Sequence, residues 1–256
     1  MQILSDRYFD DYREQLKVDI ARALEGQGAA DLNLTSFSFY TSVAVMSSSR
    51  IEGEQMEVDS YVKHKVQHID YVPELLEKPN DLYNAYVYAH DNLLTRAGFL
   101  HCHRLITVHL LPENSRGVYR KTNMVVMEHN TGRVQFEAAP FDIIPTEMEW
   151  LWADIEVLLS RSLSPEEVLY YASCIHFAFV CIHPFYDGNG RAARLLEKWF
   201  LASCLGPMAW RIPSERYYYS HVNDYYLNLN RAGVFYEQLD LSKALPFLLM
   251  LPQSIV

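Results

Sequence analysis

Residues 165–181 are apolar almost all round: Val168, Leu169, Tyr171, Ala172, Ile175, Phe177, Ala178, Phe179 and Val180 leave no polar face on a helical wheel. Such a helix is stable only where other elements cover every side, so the segment predicts the buried centre of a helical bundle. Ser164-Pro165-Glu166-Glu167 opens it with a capping box and a proline at the first helical position, and Pro184 stops it. The chain has 256 residues, half of them hydrophobic and 21% charged. That is enough material to bury such a helix without disulfide or metal staples.

The flanking sequence is mostly helical in period. Phe9, Tyr12, Leu16, Ile20 and Leu24 step by three and four before Gly26; Val58, Tyr61, Val62, Val66 and Ile69 share a face, as do Met148, Leu151, Trp152, Ile155, Leu158 and Leu159. Residues 122–137 break the pattern. Met124, Val125, Val126 and Met127, then Asn130-Thr131-Gly132, then Val134 and Phe136 in alternation, predict one β-hairpin leaning on the helical body. The expected fold is all-α, a single domain over 1–256 with one appended hairpin.

Charge and composition exclude several classes. Asp plus Glu is 32 against 22 Lys plus Arg, a net −10, which argues against nucleic acid as a partner. There is no basic-then-apolar leader and no apolar run long enough to span a bilayer, so no membrane partner is expected. Cys102, Cys174, Cys181 and Cys204 show no Cys-x-x-Cys spacing and read as reduced thiols of a cytoplasmic protein. His64 and His68 share a helix face but lack the glutamate and third ligand of a zinc site. His101 and His103 read as surface or hydrogen-bonded histidines.

Chemistry concentrates in residues 183–194, His-Pro-Phe-Tyr-Asp-Gly-Asn-Gly-Arg-Ala-Ala-Arg. Gly188 and Gly190 leave backbone N–H groups uncovered, and an amphipathic helix carrying Leu195, Leu196, Trp199 and Phe200 follows at once. Uncovered amides at a positive helix end make an anion site suited to phosphate. Arg191 and Arg194 lie on its first turn, three apart, and both can face that anion. Asp187 supplies a hard oxygen suited to Mg²⁺ shared with a nucleotide. His183 is the group here that takes a proton near neutral pH.

This segment resembles the signature of the Fic family, His-x-Phe-x-(Asp/Glu)-Gly-Asn-Gly-Arg-x-x-Arg, and matches it at His183, Phe185, Asp187, Gly188, Asn189, Gly190, Arg191 and Arg194. The resemblance implies a Fic-type helical bundle, with a catalytic core at about 80–230, that transfers AMP from ATP to a Ser, Thr or Tyr hydroxyl of a target protein. It implies that His183 is the base and that Asp187 holds Mg²⁺. Gly188, Asn189 and Gly190 would bind phosphate oxygens, Arg191 would grip the nucleotide phosphates, and Arg194 the γ-phosphate. Phe185 would anchor the loop in the core. Gly117-Val118-Tyr119-Arg120 and the hairpin at 122–137 resemble the family's flap, so Val125, Val126 and Met127 would meet the target protein. Tyr225-Tyr226 resembles the pair that closes on adenine.

Ser48-Ser49-Arg50-Ile51-Glu52-Gly53 resembles the family's inhibitory motif, (Ser/Thr)-x-x-x-Glu-(Gly/Asn), placing an inhibitory segment at about 37–54. Ser48 and Glu52, four apart, share one helix face. A carboxylate paired with Arg194 would occupy the partner that the γ-phosphate needs. The expectation is therefore an autoinhibited protein adenylyltransferase using ATP and Mg²⁺. Two alternatives stay open: an enzyme that also removes AMP, and a nucleotide-binding recruitment module without transfer. Homo-oligomerisation is also left open.

Overall fold

The computed structural model describes residues 1–26, 34–127 and 134–255, so the expected hairpin loop Asn130-Thr131-Gly132 lies outside the described residues. In chain order the helices are α1 (Phe9–Gln15), α2 (Ile20–Gly26), α3 (Leu34–Ile51), α4 (Val58–Gln67), α5 (Pro73–Asp91) and α6 (Arg96–Ile106). After the hairpin come α7 (Ile144–Leu159), α8 (Pro165–Ile182), α9 (Asn189–Leu205), α10 (Ser214–Ser220), α11 (Val222–Asn230), α12 (Leu245–Leu248) and α13 (Met250–Gln253). Among the described residues no helix is long and apolar enough to cross a membrane.

The apolar segment forms α8, and both halves of its capping box are made: Ser164 Oγ accepts from the Glu167 amide at 3.2 Å and Glu167 Oε2 from the Ser164 amide at 2.7 Å. α8 packs along α9 at the centre of the bundle; α7 and α12 cover α8, while α5 and α6 cover α9. α3 runs beside α4, α5 and α10, presenting Ala44, Val45, Met46 and the fully buried Ser47, Ser48 and Ser49. Small side chains let its backbone come close to its neighbours.

Two expectations need correction. The helix read through Phe9–Leu24 is broken, because Leu16 is extended (ψ 119°) and Asp19 restarts the helix by accepting the Arg22 amide at 3.1 Å. Asp19 is thus an N-cap hidden inside an apolar period. The amphipathic helix after the glycine turn, α9, has no solvent face through most of its length: Glu197 and Lys198 are fully buried. Both are held by partners: Lys198 pairs with Glu215 Oε2 at 3.0 Å and donates to the Ile212 carbonyl, and Glu197 Oε2 accepts from His176 at 2.7 Å and from the Tyr218 hydroxyl at 2.9 Å. Buried ions persist only when paired in this way.

The hairpin is present as β1 (Val125–Met127) and β2 (Val134–Glu137), antiparallel, with Val126 opposite Phe136 and a register shift between Val126 and Met127. Phe136 is buried against the body, while Val125, Met127 and Val134 are exposed. The far side of β2 is taken by the Val234 carbonyl, which accepts the Glu137 amide at 2.7 Å.

Candidate active site

α8 ends on His183, whose backbone is left-handed (φ 51°, ψ 59°) because Pro184 cannot extend the helix. That conformation costs a non-glycine residue about 1 kcal/mol or more and persists only where its surroundings enforce it. Arg120 does so. Its buried guanidinium donates to the carbonyls of His183 (2.8 Å), Thr122 (2.6 Å) and Ala139, and its amide donates to Pro184 O at 2.9 Å. One cation thereby ties both roots of the hairpin to the carbonyl end of α8, where a positive charge is favoured.

The turn itself is pinned from within. Phe185 is fully buried and stacks on His103 with centroids 3.5 Å apart. His103 Nε2 donates to Asp187 O at 3.0 Å while Nδ1 accepts the Gly117 amide at 2.9 Å, which fixes the tautomer. Burial lowers its pKa to about 4, so it stays neutral. Sequence reasoning placed His103 at the surface or in an unspecified hydrogen bond; it is a buried wedge under the turn.

Asn189 Oδ1 accepts the Phe185 amide and its Nδ2 donates to the Phe185 carbonyl, both at 2.9 Å. Its side chain is therefore committed to closing the turn, and only its backbone amide is left to meet a phosphate. Gly188 caps α9 in the left-handed region (φ 76°), where a Cβ would sit 2.9 Å from Thr107 Cγ2, and no side chain caps the first-turn amides. A Cβ on Gly190 would collide with Glu52 Oε1. Asp187 is exposed at the rim, with Oδ1 accepting the Gly188 amide at 2.6 Å.

A cavity opens over this turn, lined by Glu52, Val126, Phe136, His183, Arg194 and Tyr226 among others. Burial, assisted by the Arg120 charge, lowers the His183 pKa to about 4. Its Nδ1 donates to Val180 O at 3.3 Å, which leaves Nε2 as the basic nitrogen.

The two arginines of the turn are both occupied. Buried Arg194 donates to Glu52 Oε1 (2.6 Å), Ser48 Oγ (2.8 Å), Ser48 O (3.2 Å) and Tyr225 Oη (3.4 Å). Burial pushes the Glu52 carboxyl up, but Arg194 and then Arg191 outweigh it and hold the group below its ordinary value. Arg191 donates to Glu54 Oε1 at 3.1 Å, an atom shared with Lys78 Nζ at 3.0 Å. Glu54 escaped the sequence reading. Its signal is the Glu52-Gly53-Glu54 spacing opposite two arginines, with Gly53 turning the chain between the acids.

The tyrosine pair separates. Tyr226 is half-buried on the cavity wall near Leu229 and Asn230, whereas Tyr225 is 1% exposed with its hydroxyl 2.9 Å from His176 Nε2. Both tyrosines line the cavity, but the hydroxyl of Tyr225 is engaged in the core.

Residues 93–201 match the Fic/DOC family model. The chain is 30% identical over 131 residues to the protein adenylyltransferase Fic of Nematostella vectensis, and 31% over 114 residues to that of Culex quinquefasciatus. These alignments cover 51% and 44% of this chain but span only 28% and 20% of those longer proteins. The fold matches that of a crystal structure of a Fic family protein from Desulfovibrio desulfuricans G20, with a TM-score of 0.78 at 20% identity over 99% of this chain and 74% of that one. With the complete turn signature set in this fold, residues 93–201 are a Fic/DOC-type segment, and the bundle around them has the fold of a solved Fic family protein.

Proposed function

We propose that this chain transfers AMP from Mg-ATP to a Ser, Thr or Tyr hydroxyl of a target protein in the cytoplasm, and that Glu52 holds it in check. The observation that carries the reading is the placement of an unprotonated His183 in one cavity with the uncapped first turn of α9 and Arg194. The amides of that turn and Arg191 suit the α- and β-phosphates, and Arg194 suits the γ-phosphate. His183 Nε2 accepts the proton of the target hydroxyl as its oxygen attacks the α-phosphorus. The bond to the β-phosphate bridging oxygen breaks, pyrophosphate leaves, and AMP stays on the target. Asp187 suits Mg²⁺: a single exposed carboxylate at the rim fits an ion shared with phosphates, and among the described residues no group of three His, Cys, Asp or Glu competes as an all-protein site. When bound, the ion offsets phosphate charge and orients the leaving group.

The flap reading assigns the target to the hairpin, whose β1 carries the exposed Val125 and Met127 and whose β2 edge is already bridged by Val234. An extended segment of the target adds most simply along β1. The brake reading rests on one guanidinium, since Glu52 occupies the Arg194 donors that the γ-phosphate requires. Adenine fits between Tyr226, Leu229 and Asn230. The test is incubation with ATP labelled at the α-phosphate, wild type beside Glu52→Gly and Glu52→Gly/His183→Ala. Covalent label on protein in the first variant alone supports the reading. Nucleotide binding with no covalent label in any of them favours a recruitment module.

A further inference from the structure

A set of buried polar residues runs inward from the cavity wall, where Tyr225 and Arg194 lie, into the bundle. His176 of α8 and Glu197 of α9 are fully buried; Tyr218 of α10 and Tyr225 of α11 are 1% exposed. His176 Nδ1 lies 2.7 Å from Glu197 Oε2, His176 Nε2 lies 2.9 Å from Tyr225 Oη, and the Tyr218 hydroxyl donates to Glu197 Oε2 at 2.9 Å. The chain ends on Arg194 Nη1, 3.4 Å from Tyr225 Oη.

Donor arithmetic fixes its polarity. A guanidinium only donates, so Tyr225 Oη accepts from Arg194. The single phenol hydrogen then goes to the neighbouring His176 Nε2, which must be the lone-pair nitrogen. The imidazole hydrogen sits on Nδ1 and is donated to Glu197. Each link is oriented by the one behind it, from the buried carboxylate out to the arginine.

Arg194 has otherwise been gripped from one side. Its partners Ser48 and Glu52 both lie at the end of α3, and Tyr225 is its one hydrogen-bond partner elsewhere among the described residues. A γ-phosphate that takes the place of Glu52 needs the guanidinium to stay where it is once that contact is withdrawn. We infer that Tyr225, held by His176 and Glu197, is the positioning residue that keeps Arg194 aimed at the terminal phosphate, rather than a wall of the adenine pocket. The inference rests on the proposed reading that Arg194 docks the γ-phosphate. It accounts for the separation of the tyrosine pair: Tyr226 meets the cavity with its ring, and Tyr225 meets Arg194 with its hydroxyl.

The experiment compares ATP, ADP and AMP binding to the full chain by calorimetry, all in the Glu52→Gly background, with thermal melting of every variant. Tyr225→Phe keeps the ring and removes the hydroxyl. We expect its preference for ATP over ADP to fall about tenfold, as for one hydrogen bond to a charged group, with ADP and AMP affinities within about twofold. His176→Phe shifts the same preference, while His176→Gln, which keeps a donor and an acceptor, restores most of it. Equal weakening of all three nucleotides in Tyr225→Phe overturns the inference in favour of an adenine wall. An unchanged ATP-to-ADP ratio in both Tyr225→Phe and His176→Phe overturns it in favour of a purely structural network. If Tyr225→Phe does not fold, the His176→Phe and His176→Gln pair decides by the same ratio. Arg194→Ala separates the two levels: if that variant keeps the ATP preference, the γ-phosphate reading itself has failed.

Discussion

The first turn of α9 and the last turn of α3 meet as opposite helix ends and are built in opposite ways. The α9 turn is positive, by dipole and by two arginines, and it is fixed from the interior by the Asn189–Phe185 pair, the His103 wedge and the Arg120 clamp. The α3 end brings Glu52 and Glu54 to the carbonyl end of its own helix, where negative charge is disfavoured. What offsets this is the pairing with Arg194, Arg191 and Lys78. The side chains of Glu52 and Glu54 keep 30% and 17% exposure, while Arg194 has 1%. The α9 turn is thus fixed in the core, whereas the carboxylates facing it stay partly exposed; in the proposed reading they are its removable occupant. Nucleotide phosphates present the same charge to the same donors.

Breaking the permanent side has the largest expected effect. In the Glu52→Gly background, His183→Ala should lower label incorporation by roughly 10²–10⁴. A double variant that labels at the Glu52→Gly rate removes His183 from the role of base. Next in size is removal of the occupant. A misalignment of about 1 Å can cost ~10² in rate, so Glu52→Gly should raise transfer and self-labelling by about that factor. Its melting should fall only modestly, because Glu52 is 30% exposed and Arg194 keeps Ser48 and Tyr225 as partners. Adding Arg194→Ala should reverse the gain; equal rates for wild type and Glu52→Gly would leave residues 48–53 as an ordinary helix end.

The pH profile sharpens the contrast. A histidine pKa lowered to about 4 leaves the base fully available above that value, and the base is lost only as pH falls through it. Transfer by Glu52→Gly should therefore be flat across the neutral range. Removing Glu52, which raises the His183 pKa, moves the acid limb lower still. A bend near the ordinary histidine value of about 6.5 would show that His183 is solvated when the enzyme works.

What could be read in the sequence was what local chemistry dictates. The capping box of α8, the Pro184 stop, the glycine turn and the β-formers of the hairpin each declare themselves within a few residues. The parts that hold the turn arrive from a distance: His103 is 84 residues from Asp187, and Arg120 is 63 from His183. No periodicity links such pairs. An amphipathic reading of α9 leaves Glu197 and Lys198 to solvent, because their burial comes from Glu215 and Tyr218 of α10 and from the segment at 207–211, which reach α9 only in the folded chain. Tyr225 and Tyr226 both line the cavity, but neighbours on a helix point about 100° apart, so only Tyr225 also sends its hydroxyl to the buried His176. Glu54 reaches Arg191 only because Gly53, at φ 91°, folds the chain back.

That second acid carries the smallest expected effect. Glu54 shares one oxygen between Arg191 and Lys78, so its pull on Arg191 is divided between two cations. With Glu52 in place, Glu54→Gln should change transfer little, because Arg194 is still engaged. In the Glu52→Gly background the same change frees Arg191 for phosphate, and a pair worth about 0.5–1 kcal/mol corresponds to a fall in KM for ATP of about two- to fivefold. The turnover rate should hold, because in the proposed reading Arg191 would grip ATP in ground and transition states alike and would touch neither the attacking oxygen nor its proton. Steady-state ATP kinetics of Glu52→Gly beside Glu52→Gly/Glu54→Gln measure this. An unchanged KM would mean that the Arg191–Glu54 pair does not compete with phosphate and that the turn has a single occupant.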